Sequence, residues 1–256
     1  PAENPHYHSA RKVLAELYLE HRNDKRMYAA CHEEMAAAHP SVDSYVMLGE
    51  AYMRISDPER AIAAFEQALT RSPNDSTLAS RIGKVLVSTH EYVKAIEYYS
   101  DAVATDPSKT PLRYELANLF FELKKFDQAH AEIGRLIEAG ETDESAKGVL
   151  LDDVFLLTKT YLLLARVRKA EALPQEALDA LSKAKANQSK ALTRVRGEGG
   201  GVDMLGPQQD EMADVCLALG AAQESMHEHD AALSSYRDGL KYSDSHEACL
   251  IAVAKM

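Results

Sequence analysis

The sequence predicts an all-α fold, a right-handed superhelical solenoid of antiparallel helix pairs with about six pairs, a terminal helix and no strand. Three observations carry it. Residue types repeat at an offset of 34 across a chain of 256 residues. Helix start and stop signals recur in the same register. Small residues fall 12 apart, one on each helix of a pair.

The repeat is register-locked. Gly49 maps to Gly83, Leu48 to Ile82 and Leu116, Tyr52 to Leu86 and Phe120, and Ala61 to Ala95 and Ala129. Phe65 maps to Tyr99, Ala68 to Ala102, and Pro73 to Pro107. The period and residue types are those of the tetratricopeptide repeat, two helices per ~34 residues. Gly49 and Gly83 are expected where helix A passes close to helix B, with Ala61 and Ala95 opposite. Phe65 and Tyr99 fill the wider gap, and Tyr52 and Leu86 pack between the helices.

Taken in order, residues 9–38 read as a degenerate first pair, with Leu14, Ala15 and Tyr18 on helix A and Met27 and Cys31 on helix B. Residues 42–75 and 76–109 are the regular repeats. Asp57-Pro58 opens a helix as N-cap and first helical residue. Ser72-Pro73 and Asp106-Pro107 close helices, because the residue before proline is pushed out of the α region. Residues 110–143 keep Leu116, Ala117, Phe120 and Ala129. The next pair carries Leu157 and Tyr161 on helix A, then Ala177, Leu181 and Ala184. Thr158 and Ala177 lie 19 apart, so the first helix or its turn is about two turns longer. Gly220, Ala232 and Tyr236 restore the signature, and a last helix opens near Ser245.

This gives repeats over 1–193, a further repeat and a truncated start of the next over 210–256, and a flexible glycine-rich loop over 194–209. That loop, RVRGEGGGVDMLGPQQ, contains five glycines and a proline, and glycine-rich chain is costly to order. GxxxxGK[ST] is absent, so phosphate cradling is not expected there. The missing initiator Met and the lone terminal helix, with Leu250 and Val253 on its apolar face, suggest an interior piece of a longer solenoid.

Composition narrows function. Lys+Arg total 29 against 40 Asp+Glu, a net charge of −11, which supplies no broad basic face for nucleic acid. No run reaches the ~18 apolar residues of a membrane span, and Pro1 to Lys12 shows no signal-peptide pattern. Cys31, Cys216 and Cys249 lack metal or disulfide spacing. His227-Glu228-His229-Asp230 is the densest group of possible metal ligands, but it falls at a turn and lacks i, i+4 pairing. Asp152-Asp153 suit a helix first turn. No nucleophile or nucleotide fingerprint is present, so no enzyme, cofactor, metal or small-molecule substrate is expected.

What remains is surface. The helix-A wall presents Met47, Glu50, Arg54, Arg81, Lys84, Tyr114, Asn118 and Phe121 as candidate partner contacts, since apolar anchors flanked by charge suit protein interfaces. The alternative is that this wall packs against the next turn of the same solenoid. A carboxylate clamp of the chaperone-adaptor type needs Lys and Asn where Val46 and Glu50 stand. An asparagine ladder of the sugar-transferase type would need Asn where Met47, Arg81 and Glu115 stand.

"LGEAYMRISDPERAI" (48–62) and "NDSTLASRIGKVLVSTHEYVKAIEYY" (74–99) closely resemble the large repeat subunits of intraflagellar transport complex A, the tetratricopeptide repeat protein 21 family. The resemblance continues through "LDDVFLLTKTYLLLARV" and "ALDALSKAKANQSKALTRV". It implies a non-enzymatic helical scaffold in retrograde ciliary transport and ciliary membrane-protein trafficking. The implied partners are other protein subunits of that complex, without nucleic acid or membrane insertion, in the cytoplasm and the cilium or flagellum.

Overall fold

The computed structural model describes residues 7–73, 75–106, 108–144, 151–197 and 202–256. Among them are thirteen α-helices and no strand. The pairs are α1 (Tyr7–Arg22) with α2 (Lys25–Ala38), α3 (Val42–Arg54) with α4 (Pro58–Arg71), and α5 (Ser76–Ser88) with α6 (Tyr92–Thr105). Then follow α7 (Thr110–Glu122) and α8 (Phe126–Glu144), α9 (Leu151–Ala170) and α10 (Pro174–Gly197), α11 (Val202–Ser225) and α12 (His229–Tyr242), and α13 (Glu247–Lys255).

Side-chain caps set several starts. Asp24, Ser41, Asp57 and Asp75 each accept a hydrogen bond from a first-turn backbone N–H, and Pro58 stands at the first helical position. These groups satisfy donors that a helix start leaves unpaired. Helix A ends the same way in all six pairs. Asn23, Ser56, His90, Lys124, Ala172 and His227 have φ between 49° and 64°. In the last five pairs the N–H of the following residue returns to a carbonyl five back, as in Asp57 to Tyr52 and Leu173 to Arg168, both 2.9 Å, and in the first pair Asp24 reaches Tyr18, six back. This is the Schellman end of a helix, built here without glycine. It reverses the chain in about three residues, so helix B folds straight back on helix A.

The pairs are held by the predicted close approach, and their chemistry varies in step. A Cβ on Gly49 would lie 2.5 Å from Phe65 Cε1. At Gly83 and Gly220 it would fall on the rings of Tyr99 and Tyr236. Where the residue 16 positions on is smaller, alanine replaces glycine: Ala15 with Cys31, Ala117 with Ile133, and Ala165 with Leu181, all buried. An aromatic ring therefore demands glycine opposite, and a smaller side chain leaves room for one methyl group. Ala61, Ala95, Ala129, Ala177 and Ala232 are buried on the facing helix.

The register of the fifth pair corrects one expectation. Ala165, not Thr158, is the close-approach residue, 12 before Ala177 as in the regular repeats. Helix α9 is longer, with 20 residues against 13 in α3 and α5, and its extra turns precede the repeat core. Leu157 lies at the end of those turns, and it is buried with Tyr161, Ala184 and Val215. In the first pair, Tyr28 takes the core place expected for Met27, which is 39% exposed.

The expected loop at 194–209 is a second correction. Helix α10 runs through Gly197 and α11 starts at Val202, with Pro207 inside it. Gly199, Gly200 and Gly201 lie outside the described residues, as does Pro107. Apolar spacing prevails over glycine content, because Leu192, Met212 and Cys216 form one buried cluster against which Leu205 and Tyr242 pack. Buried Gln188 fixes the join, donating from Nε2 to Gln208 O (3.1 Å) and Oε1 (2.9 Å).

The chain divides into two compact units, 1–115 and 116–256, and not at the expected 193/210 boundary. Each unit keeps its own core. In the first, Ala15, Tyr28, Cys31 and Ala51 cluster between the first two pairs. In the second, Ala165, Ala180, Leu181, Leu219 and Ala222 join α9, α10 and α11.

Candidate protein-interaction surface

Helix A offers one long polar face per repeat, and the candidate contact residues lie on it. In the first unit their charges are already used between successive A helices. Arg54 Nη1 donates to Glu16 Oε1 at 2.6 Å and lies over the Tyr28 ring, 5.5 Å from its centroid. Glu50 pairs with Arg81, and Lys84 Nζ pairs with Glu115 Oε1 at 3.1 Å. Glu16, Glu50 and Lys84 are equivalent positions, each 34 from the next. One repeat position thus supplies a tie from α1 to α3, α3 to α5, and α5 to α7. Met47 and Tyr114 are half-buried beside these ties.

The second unit repeats the device with different residues. Arg166 on α9 donates to Asn118 Oδ1 at 3.4 Å and Glu122 Oε1 at 3.1 Å. Its guanidinium stands 4.5 Å from the Phe121 centroid. Asn118 and Phe121 are therefore brought together, and Arg166 is the residue that joins them. Sequence reasoning did not single it out. Its signal was position: Arg166 follows the close-approach Ala165 as Asn118 follows Ala117.

Exposed pairs of this kind stabilise by about 0–1 kcal/mol each. They fix spacing between helices more than they hold the fold, and they leave both partners accessible to competing charge. The clamp geometry of carboxylate-binding adaptors is absent here, since Glu50 faces Arg81.

The helix-B side holds a feature with no sequence motif. Helices α4, α5 and α6 line a groove of about 470 Å³. Ile62, Ile82 and Leu86 supply apolar lining, and Glu59, Glu66, Glu91, Glu97 and Asp101 supply carboxylates. Lys94 is the groove's one cation and pairs with Glu91. The Tyr98 hydroxyl is buried without a hydrogen-bond partner. Burial, reinforced by Glu66, pushes its pKa up to about 12. The available signal was Glu97 and Asp101, like charges at i, i+4 on one helix face, which destabilise a helix unless something else uses them.

Other candidates resolve into structure. His227 is a left-handed turn residue, and His229 opens α12. Among the described residues no group of three or more His, Cys, Asp or Glu could hold a metal ion. Asp152 and Asp153 lie in the first turn of α9. Cys31, Cys216 and Cys249 are free and buried. No described helix is long and apolar enough to cross a membrane.

Comparison with known proteins follows the same register. The family model "Tetratricopeptide repeat protein 21 forth ARM domain" matches residues 78–240. A second model, the tetratricopeptide repeat protein 21 ARM repeat, matches 1–35, and the general tetratricopeptide repeat matches 42–75. Mouse tetratricopeptide repeat protein 21B is 33% identical over 99% of this chain, which covers 19% of that protein. Mouse tetratricopeptide repeat protein 21A is 34% identical over 99% of the chain, again 19% of the relative. The chain thus spans about a fifth of these relatives' length.

Two solved structures share the fold. PilW, a type IV pilus biogenesis factor, superposes with a TM-score of 0.57 at 16% identity, covering 96% of this chain and 98% of that one. MamA gives 0.53 at 18% identity over 79% and 92%.

Proposed function

The chain belongs to the tetratricopeptide repeat protein 21 family, and from that premise we propose that it is a non-enzymatic scaffold segment of intraflagellar transport complex A. In this reading it works in the cytoplasm and cilium, holding other protein subunits of the complex during retrograde transport and ciliary membrane-protein trafficking. The observation that carries the reading is the family match across residues 78–240, on a chain built of repeats whose accessible chemistry is side-chain pairing. Stacked repeats make extended surfaces suited to holding other proteins.

The helix-A faces are the proposed contact surface, with Met47, Arg54, Arg81 and Tyr114 in the first unit and Phe121 in the second. Their ion pairs are exposed, so an incoming acidic or basic partner exchanges them at little cost.

The test uses the full-length protein in ciliated cells. An Arg81→Glu/Tyr114→Ala variant should keep its fold and lose recovery of complex subunits. A control pair on exposed helix-B positions, Gln67→Ala with Ser234→Ala, should keep recovery. The reverse result moves the contacts to the helix-B side. Unchanged subunit recovery after deletion of the whole segment would overturn the scaffold reading itself.

A further inference from the structure

We propose that the groove of α4, α5 and α6 is a docking site for a basic amphipathic segment of a partner protein, one presenting an aliphatic ridge flanked by arginine or lysine. The inference rests on the reading of the chain as a protein-binding scaffold and adds a second surface, on the helix-B side, with a stated partner chemistry.

Three observations fit that occupant together. The first is uncompensated charge. Among the described residues only Glu91 of the five carboxylates forms an ion pair, with Lys94; Glu59 shares the field of that lysine, and Glu66, Glu97 and Asp101 face the groove without an ion-pair partner. Glu97 and Asp101 sit one turn apart on α6, while Glu59 and Glu66 sit two turns apart on α4. A charged partner of opposite sign both gains from this field and relieves its self-repulsion.

The second is an apolar floor under the charge. Ile62, Ile82 and Leu86 line a volume of about 470 Å³, within the range of sites that bury a compact side-chain cluster. A bare cation does not use such a floor, but an aliphatic residue on a basic helix does. The third is Tyr98. Its hydroxyl is buried in the groove without a partner, and a native structure rarely leaves such a group unsatisfied. A guanidinium or an amide of the incoming segment would satisfy it.

The sign of the charge also decides against other occupants. A second copy carries a net charge of −11 and meets the groove with repulsion. Nucleic acid does the same.

The test uses the 256-residue chain and a fluorescein-labelled helical peptide with Leu at i, i+3, i+4 and i+7 and Arg between them. Four chains are compared: the wild type, Glu66→Gln/Glu97→Gln/Asp101→Asn, Tyr98→Phe, and a Gln128→Ala control at an exposed position of α8. The peptide should bind the wild type with affinity falling as salt rises. The triple variant should bind at least tenfold more weakly, while its melting temperature holds or rises because repulsion has been removed. Tyr98→Phe should weaken binding severalfold without destabilising the chain, and Gln128→Ala should bind like the wild type. Hydrogen exchange should show new protection over 59–66 and 94–101 when the peptide is bound.

Equal affinity for the triple variant overturns the proposal. So does equal binding of a scrambled peptide or of spermine, which would mean charge adsorption without a site. Protection confined to 47–54 and 81–88, or a dimer of the chain abolished by the triple variant, would likewise overturn it. The probe is synthetic, so failure here leaves the subunit-recovery test unaffected, and failure there leaves this result standing.

Discussion

Gly49 and Phe65 offer the most direct test of how the helix pairs are built. A methyl group added at Gly49 lies 2.5 Å from Phe65 Cε1 and 2.7 Å from Cδ1 and Cζ. Non-bonded carbons prefer about 3.5–4.0 Å, so the ring must retreat by about 1 Å. Phe65 is 2% exposed, and a packed interior yields little at that scale. Overpacking costs about 1–3 kcal/mol, whereas Gly→Ala inside a helix gains about 1 kcal/mol in propensity. Gly49→Ala should therefore destabilise by about 0–2 kcal/mol, despite improving the helix. Phe65→Leu alone should cost about 1–2 kcal/mol, less than the 3–5 of a Phe→Ala truncation, because most of the side chain remains. The double variant recreates the Ala165/Leu181 pairing found elsewhere in the same chain. It should sit within about 1 kcal/mol of the wild type, a favourable coupling of about 1–3 kcal/mol. The two compact units make a single global transition a poor measure, so the assay is native-state hydrogen exchange of the α3 and α4 amides. Additivity of the two changes within about 0.5 kcal/mol would refute the steric account, as would a full 1 kcal/mol stabilisation by Gly49→Ala alone.

Three further outcomes follow from the structure. Ala172 has φ 60°, so Ala172→Gly should stabilise the second unit by about 0.5–1 kcal/mol, and a lower melting temperature would contradict the left-handed assignment. His32 is buried with both ring nitrogens unpartnered, and burial lowers its pKa below the usual imidazole value. The unfolded chain then binds the extra proton first, so stability falls as pH drops below about 6.5. His32→Leu should flatten that part of the stability profile, and an unchanged acid slope would refute it. Asn187 Nδ2 donates to Val154 O at 2.8 Å and Thr158 Oγ1 at 2.9 Å. Asn187→Ala should cost about 1–3 kcal/mol, read as faster exchange in α9, and wild-type exchange there would show the bonds to be dispensable.

The helix pairs were legible because close packing leaves few choices. Where two helices nearly touch, one residue must be small, and the turn between them has a fixed length, so Gly49, Ala61, Phe65 and their equivalents mark the register directly. The fifth pair was misplaced because Ala165 keeps the size of the close-approach residue without the glycine that advertises it. The segment after Arg194 was misread for a related reason. Local composition spoke for a loop, but the helices there are carried by contacts with Met212, Cys216 and Tyr242, which no local window contains. The repeat spacing assigns the candidate contact residues to the A helices, but their partners in the neighbouring repeat are visible only in the fold. The acidic groove left the faintest trace, since its carboxylates come from two helices separated by a third.

The ties between successive A helices also bear on mechanics. Each is an exposed contact bridging two repeats: Glu16 to Arg54, Glu50 to Arg81, Lys84 to Glu115. The apolar contacts beneath them do not depend on these charges. A tie can open for a cost comparable to thermal energy, while the buried glycine and alanine contacts stay shut. The first unit therefore has a stiff spine and a soft, ionic edge, and small bends need not pass through any unfolded state. Ionic strength tunes that edge, because salt screens exposed charges over a distance of about 10 Å at 0.1 M. A rigid surface would have to match its partner beforehand. A ladder of such ties can follow a bound protein whose shape changes.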